Sequence, residues 1–271
     1  MFDYLTYVRE GNFPHIWCSG CGHGIVLKSF IRAIDKLGIH RDEAVMVSGI
    51  GCSSRTAGYV DINTLHTTHG RAIAFATGVK FANPKLHVIV VTGDGDATAI
   101  GGNHYIHAAR RNIDLTVLIY NNYIYGMTGG QVSPTTPRGA RASTSPFGNI
   151  EPPFNISGLA SAAGASFVAR GDVYHAQKLE KLITQAIQKK GFSVVEVLSP
   201  CPTAYGRRNR MASPVTLMEW LRDNCIPVKK YEKMSEEERS GKIRTGVLID
   251  IEKPEFTEEY RKLVDSMQVR G

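Results

Sequence analysis

The run Val88-Ile89-Val90-Val91-Thr92-Gly93-Asp94-Gly95-Asp96 constrains this chain more than any other stretch. From Leu86 to Val91 the residues, His87 apart, are apolar and mostly β-branched, with little polar alternation. Such a strand is buried on both faces, as in a parallel sheet covered by helices. It ends in Gly-Asp-Gly, a helix-compatible segment spans Ala99 to Arg111, and a second apolar run, Leu115 to Ile119, ends in Asn121-Asn122. Parallel strands bring the residues just past their carboxyl ends into one crevice. There the Asp94 carboxylate, the Asn122 side-chain oxygen and a nearby carbonyl make a hard-oxygen set suited to Mg²⁺ carrying a diphosphate. Gly93 and Gly95 let the backbone approach phosphate oxygens, and the next helix N-terminus favours an anion. Gly-Asp-Gly alone also fits a plain strand-to-helix turn.

A chain of 271 residues can bury a sizeable core. No apolar run approaches the ~20 residues that span a bilayer, and Met1-Phe-Asp-Tyr does not read as a signal peptide, so a cytoplasmic protein without a membrane segment is expected. Lys and Arg number 32 against 25 acidic residues, a net charge of +7. With no aromatic-interleaved basic run or nucleic-acid motif, that balance points to an acidic protein partner, not nucleic acid.

Helices are predicted over Ile25 to Leu37, Ala72 to Ala82, Ser157 to Ala163 and from an Asp172 cap to Lys190; strands are predicted over Ala44 to Val47, Ala165 to Ala169 and Phe192 to Leu198. Ser213-Pro214 opens a helix ending near Asn224. A long Pro/Ser/Thr/Arg loop runs from Tyr123 to about Pro153, as a lid, a docking surface or a surface excursion. Beyond Pro227 the composition turns charged, with a capping box at Ser235 to Glu238 and a helix near Thr257 to Met267. The division expected is a cofactor-binding domain over 1–226 and a C-terminal arm over 227–271.

Five cysteines in such a chain argue for metal or redox work over a disulfide framework. Cys18 and Cys21 form a Cys-x-x-Cys on a glycine-rich turn, Cys52 follows Gly51 at a strand end, and Cys201 sits between Pro200 and Pro202. Cys225 has no such setting and reads as a small buried hydrophobe. The four allow a structural zinc, a [4Fe–4S] cluster or unconnected buried thiols; one close pair with two scattered singles is more cluster-like than zinc-like.

Gly93-Asp-Gly and Asn121-Asn122, with the twenty-five residues Asp96 to Tyr120 between them, resemble the thiamine diphosphate motif. Together with Cys18-x-x-Cys21, Gly49-Ile-Gly-Cys52-Ser-Ser, Thr68-His-Gly-Arg71 and Pro200-Cys201-Pro, they resemble the β subunits of 2-oxoacid:ferredoxin oxidoreductases, nearest to those acting on 2-oxoglutarate. The likeness covers about residues 12 to 210. It implies an α/β thiamine diphosphate-binding fold, a mostly parallel sheet with helices on both faces, an N-terminal cluster-binding segment and a C-terminal arm. It implies thiamine diphosphate, Mg²⁺ and one [4Fe–4S] cluster.

Residue by residue, the resemblance carries Mg²⁺ to Asp94, Asn122 and the Ile124 carbonyl, and the cluster to Cys18, Cys21, Cys52 and Cys201. Cofactor contacts go to Gly51, Cys52, Ser53, His69, Gly93, Gly95 and Asp96. His69 and Arg55 are the side chains assigned to catalysis, Arg55 matching a basic position that meets the distal carboxylate of the substrate. The implied reaction joins a 2-oxoacid, coenzyme A and ferredoxin. Thiamine activation needs a glutamate, none of this chain's has a fitting strand-end context, and the family takes it from an α subunit. Two other classes compete: a non-redox thiamine enzyme, and a zinc-bearing Rossmann-like binding protein.

Overall fold

Burial of the two apolar runs under helices on both sides explains why they are strands. In the computed structural model, which describes residues 3–268, Val88 and Val90 share a buried cluster with Ala76, Tyr105 and Ala108. Ile89 and Val91 share the opposite one with Phe30, Ile34 and Ile183. Neither face meets water, so neither needs polar residues.

Eight strands form one sheet in the order β2-β1-β3-β4-β6-β5-β8-β7. They are β1 (Ala44–Ser48), β2 (Asn63–His66), β3 (His87–Gly93), β4 (Thr116–Asn121), β5 (Phe167–Asp172), β6 (Ser193–Leu198), β7 (Cys225–Pro227) and β8 (Ile243–Asp250). From β2 across to β5 every pairing is parallel. Helices α1 (His23–Leu37) and α6 (Ala176–Gln188) pack together on one face. On the other lie α3 (Ala72–Ala82), α4 (Gly102–Arg111) and α5 (Ile156–Ala163), while α2 (Thr56–Tyr59) is a single turn leading to β2. The chain leaves β1 outward to β2 and then returns past β1 to β3. Strand order therefore reverses between β1 and β3, which opens a crevice at their carboxyl ends.

Most predicted elements fall within a few residues of those observed. Asp172 does not cap α6: it ends β5, and its carboxylate accepts the His175 N–H at 2.9 Å, one residue before the helix. The helix expected from Ala99 starts earlier, through a π-helical turn over Asp96–Ile100 that runs into α4.

The tail after Pro227 is an arm only in part. β8 pairs antiparallel with β5, and β7 pairs with β8, so the sheet continues across the expected boundary at 226/227. Between β7 and β8 lie α8 (Val228–Tyr231) and α9 (Glu236–Arg239), the latter opened by the expected Ser235–Glu238 capping box. α7 (Pro214–Asn224) leads into β7, and α10 (Phe256–Gln268) sets Phe256 and Tyr260 against Phe81 of α3. No described helix is long and apolar enough to cross a membrane.

One buried ion pair holds the non-site end of the sheet. Lys80 Nζ lies 2.6 Å from Asp114 Oδ2 and donates to the Leu86 carbonyl at 2.8 Å, with the lysine only 3% exposed. Its ammonium helps hold the Asp114 carboxyl below the usual range against the opposing effect of burial. Without Lys80, Asp114 would keep Lys190 at 3.1 Å and the Gly191 N–H, whereas Lys80 has no other ion-pair partner among the described residues, so removing Asp114 strands a buried charge. Asp114→Asn is expected to cost about 3–5 kcal/mol in urea unfolding, and adding Lys80→Met to recover most of that. Equal stability of Asp114→Asn and the parent would contradict the reading.

Candidate functional site

The segments past the ends of β1, β3 and β4 converge on one cleft. Gly51, Cys52, Ser53, His69, Gly93, Asp94, Gly95, Asp96, Asn122 and Ile124 all line it, with His23, Tyr120 and Tyr125. The tight approach of these loops depends on two glycines. A Cβ at Gly95 would meet the Tyr125 ring at 2.4 Å, and one at Gly49 would fall 1.6 Å from Asp96 Oδ2.

The two aspartates of the motif behave differently. Asp96 is satisfied by protein: its Oδ1 accepts the Gly70 N–H at 2.7 Å, and its Oδ2 accepts Thr92 Oγ1 at 2.7 Å and the Ile50 N–H at 3.2 Å. His69 Nδ1 also lies 2.7 Å from Asp96 Oδ1. Asp96 thus ties together the loops after β1, β2 and β3. Asp94, 2% exposed, has no cationic partner among the described residues. Its Oδ2 accepts Ser133 Oγ at 2.6 Å and also Thr135 Oγ1. Burial pushes its carboxyl up to about 6, although both hydroxyls pull the other way. A buried carboxylate oxygen with no counter-charge, close to the Asn122 amide, is a donor set that a small hard cation would complete.

Ser133 and Thr135 were not singled out by sequence. They belong to the long loop of residues 123–153, which is neither a lid nor a loose excursion at this point but folds under the cleft. Thr136 Oγ1 donates to the Tyr123 carbonyl at 2.6 Å, and Thr135 Oγ1 also approaches Asn121 Oδ1 at 2.9 Å.

The four singled-out cysteines come together. Cys18, Cys21, Cys52 and Cys201 line a second cavity of about 280 Å³ with Trp17, His23 and Thr203. Trp17 Nε1 donates to the Cys52 carbonyl at 2.7 Å, which pins the N-terminal segment onto the turn after β1. Cys201 precedes a π-helical turn over Pro202–Gly206, and its Sγ accepts the Ala204 N–H at 3.3 Å. Burial, with the neighbouring thiols adding to it, pushes Cys21 and Cys52 up to about 11. Cys225 lies apart on β7, 2% exposed, and burial raises its thiol too.

The cleft and the thiol cavity share a wall made of His23, Cys52, Asn122, Gly126 and Met127. A Cβ at Gly126 would sit 3.5 Å from Cys201 Sγ and 3.8 Å from Cys52 Sγ, so this turn lies within van der Waals reach of both sulfurs.

Arg55 is placed differently. It ends the 3₁₀ turn Ser53–Arg55, is exposed, and is not part of the cleft lining. Asp61, the nearby acid, pairs with Arg41 at 3.1 Å and Arg9 at 3.9 Å and not with Arg55. No glutamate lines the cleft among the described residues.

Residues 49–197 match the family model described as thiamine pyrophosphate enzyme, C-terminal TPP binding domain. A 2-oxoglutarate synthase subunit KorB from Methanocaldococcus jannaschii is 54% identical over 268 residues, 99% of each chain. The KorB subunit of Archaeoglobus fulgidus is 57% identical over 222 residues, 82% of this chain and 81% of that one. Among solved structures, the 2-oxoglutarate:ferredoxin oxidoreductase from Magnetococcus marinus, with 2-oxoglutarate, coenzyme A and succinyl-CoA bound, superposes with a TM-score of 0.87 at 35% identity. That match covers 97% of this chain and 90% of the other.

Proposed function

Because the chain belongs to the β subunits of the 2-oxoacid:ferredoxin oxidoreductases, we propose that it is one half of a 2-oxoglutarate synthase. The reaction is the oxidative decarboxylation of 2-oxoglutarate with coenzyme A to succinyl-CoA, CO₂ and reduced ferredoxin, and it is reversible. The observation that carries the reading is the shared wall: a buried, uncompensated carboxylate on one side and four thiols on the other.

Asp94, Asn122 and the Ile124 carbonyl would hold Mg²⁺ with thiamine diphosphate, and Cys18, Cys21, Cys52 and Cys201 would hold a [4Fe–4S] cluster. Bound there, thiamine diphosphate supplies a carbanion-stabilising centre and the cluster a one-electron acceptor. The protein's part is to hold and to insulate. Asp94 supplies the charge that offsets the cation, and Ser133 and Thr135 fix its carboxylate. Asp96, engaged on both oxygens, keeps the three loops in register.

The size of the thiol cavity supports a cluster rather than zinc. A tetrahedral zinc needs sulfurs about 3.8 Å apart, from Zn–S bonds near 2.3 Å. Among the described residues no three Cys, His, Asp or Glu side chains converge on one ion. The four thiols instead line, with eight other residues, a space of about 280 Å³, which has room for more than a single ion.

A cleft lined by two aspartates and, among the described residues, no glutamate supports an α subunit that completes it. The net charge of +7 suits an acidic ferredoxin. The test is a panel of 2-oxoacids with coenzyme A and ferredoxin, using the chain purified anaerobically with its partner subunit. The highest kcat/KM belongs to 2-oxoglutarate; a preference for pyruvate would overturn the substrate assignment.

Arg55 lies outside the cleft lining, two residues past Ser53, which is part of it; exposed and with no ion-pair partner among the described residues, it is the side chain proposed to read the distal carboxylate once substrate and partner subunit cover it. A guanidinium holds a carboxylate bidentately, and a charge-assisted pair contributes ~1.5–3 kcal/mol, or roughly one to two decades. Arg55→Met is therefore expected to lower kcat/KM for 2-oxoglutarate by about ten- to a hundredfold and leave that for pyruvate nearly unchanged. An unchanged ratio of the two constants means that Arg55 does not contact the substrate.

A further inference from the structure

His23 occupies the wall between the two cavities. It is the first residue of α1, two positions past Cys21, and lines both the cleft and the thiol cavity. Only 2% of it is exposed, yet neither ring nitrogen has a hydrogen-bond partner. Buried polar atoms are almost always bonded, so two orphaned nitrogens on one ring point to something that fills the spaces beside them.

The ring is held by packing. Trp17 meets it edge-on at 5.7 Å and 87°, and Tyr120 at 5.0 Å and 65°. The approach is fixed by Gly22, at φ +81°, where a Cβ would meet the Val173 side chain at 2.7 Å. An apolar ring would serve that packing equally well. The nitrogens are what packing does not explain.

We propose that His23 serves both cavities at once: one ring N–H donates to a sulfur in the thiol cavity, and the other nitrogen accepts a hydrogen bond from the cleft side. A neutral imidazole has one donor and one acceptor, which matches one bond to each cavity. The inference rests on the reading that Cys18, Cys21, Cys52 and Cys201 hold a [4Fe–4S] cluster. A hydrogen bond to a cluster sulfur stabilises the more negative, reduced state, so His23 raises the reduction potential. It is a positioning and tuning residue, and no bond to it forms or breaks.

The test uses the full chain with its partner subunit, purified anaerobically, with iron counted in every sample. In an electron paramagnetic resonance titration, His23→Leu is expected to shift the one-electron equilibrium about tenfold toward the oxidised cluster, equivalent to about 59 mV. His23→Gln, which keeps a donor and an acceptor, recovers most of that shift. In the parent labelled with ¹⁵N-histidine, the reduced cluster shows a weak coupling to a non-ligand imidazole nitrogen and to an exchangeable proton, both lost in His23→Leu. Full iron in the parent without either coupling overturns the inference and leaves the cluster reading standing. So does an unshifted potential in iron-replete His23→Leu. A parent without iron overturns both.

Discussion

Asp94→Asn sharply weakens thiamine diphosphate binding while the chain stays folded. The carboxylate is the only charged oxygen donor in the set proposed for the cation, and an amide gives up the charge that offsets Mg²⁺ beside a diphosphate. We expect affinity to fall by about two orders of magnitude or more, measured calorimetrically with Mg²⁺ present. Stability should move the opposite way. In the cofactor-free protein a carboxylate 2% exposed, with no cationic partner among the described residues, is costly to keep charged, and burial pushes it up to about 6. Asparagine removes that cost and still accepts from Ser133 or Thr135. The cofactor-free melting temperature of Asp94→Asn is therefore equal to or above that of the parent, while only the parent gains stability on adding cofactor. Affinity within a few-fold of the parent places the cation elsewhere; a lower cofactor-free melting temperature makes Asp94 a structural residue.

Cys201→Ser empties the thiol cavity, and Cys225→Ser does not. Cys201 is held between two prolines, its Sγ accepts the Ala204 N–H, and its position is fixed by the turn after β6. Serine fits the space but is a hard, poorly ionised donor where iron–sulfur clusters take thiolates. Iron in anaerobic samples should drop from about four per chain to below about one, and the same holds for Cys18, Cys21 and Cys52. Cys225, buried on β7 and outside both cavities, keeps the parent's iron content after substitution. Equal loss from Cys225→Ser, or none from Cys201→Ser, contradicts the ligand set.

The strands of the parallel core were legible because burial on both faces leaves a local signature: Leu86 to Val91 and Leu115 to Ile119 have almost no polar residue to misread. The outer strands were not. Asn63–His66, at one edge, is polar and partly exposed, and Ile243–Asp250, next to the edge strand β7, carries a glycine, two charges and only one buried position. Nothing local says that the latter will pair with β5. Only the exposed edge of β5 does, and that edge is a product of the fold. At the site, residues with a chemical signature of their own, the cysteines, Gly-Asp-Gly and Asn-Asn, could be found by spacing. Ser133, Thr135 and His23 could not, since hydroxyls and a lone histidine are common. Their meaning comes from contacts with Asp94 and the two cavities that span 39 residues or more of sequence. A sharper signal was present in the loop itself: Ser133-Pro-Thr-Thr136 is a cluster of hydroxyls in a segment too long to be a simple connection.

The central claim is that this one chain holds two cofactors on either side of a shared wall. Counting iron and thiamine diphosphate on the same anaerobic preparation tests it most directly. Four irons and one thiamine diphosphate per chain are expected in the parent, with iron retained by Asp94→Asn and thiamine diphosphate retained by Cys201→Ser. One zinc and no iron, or thiamine diphosphate at full occupancy in Asp94→Asn, would contradict it.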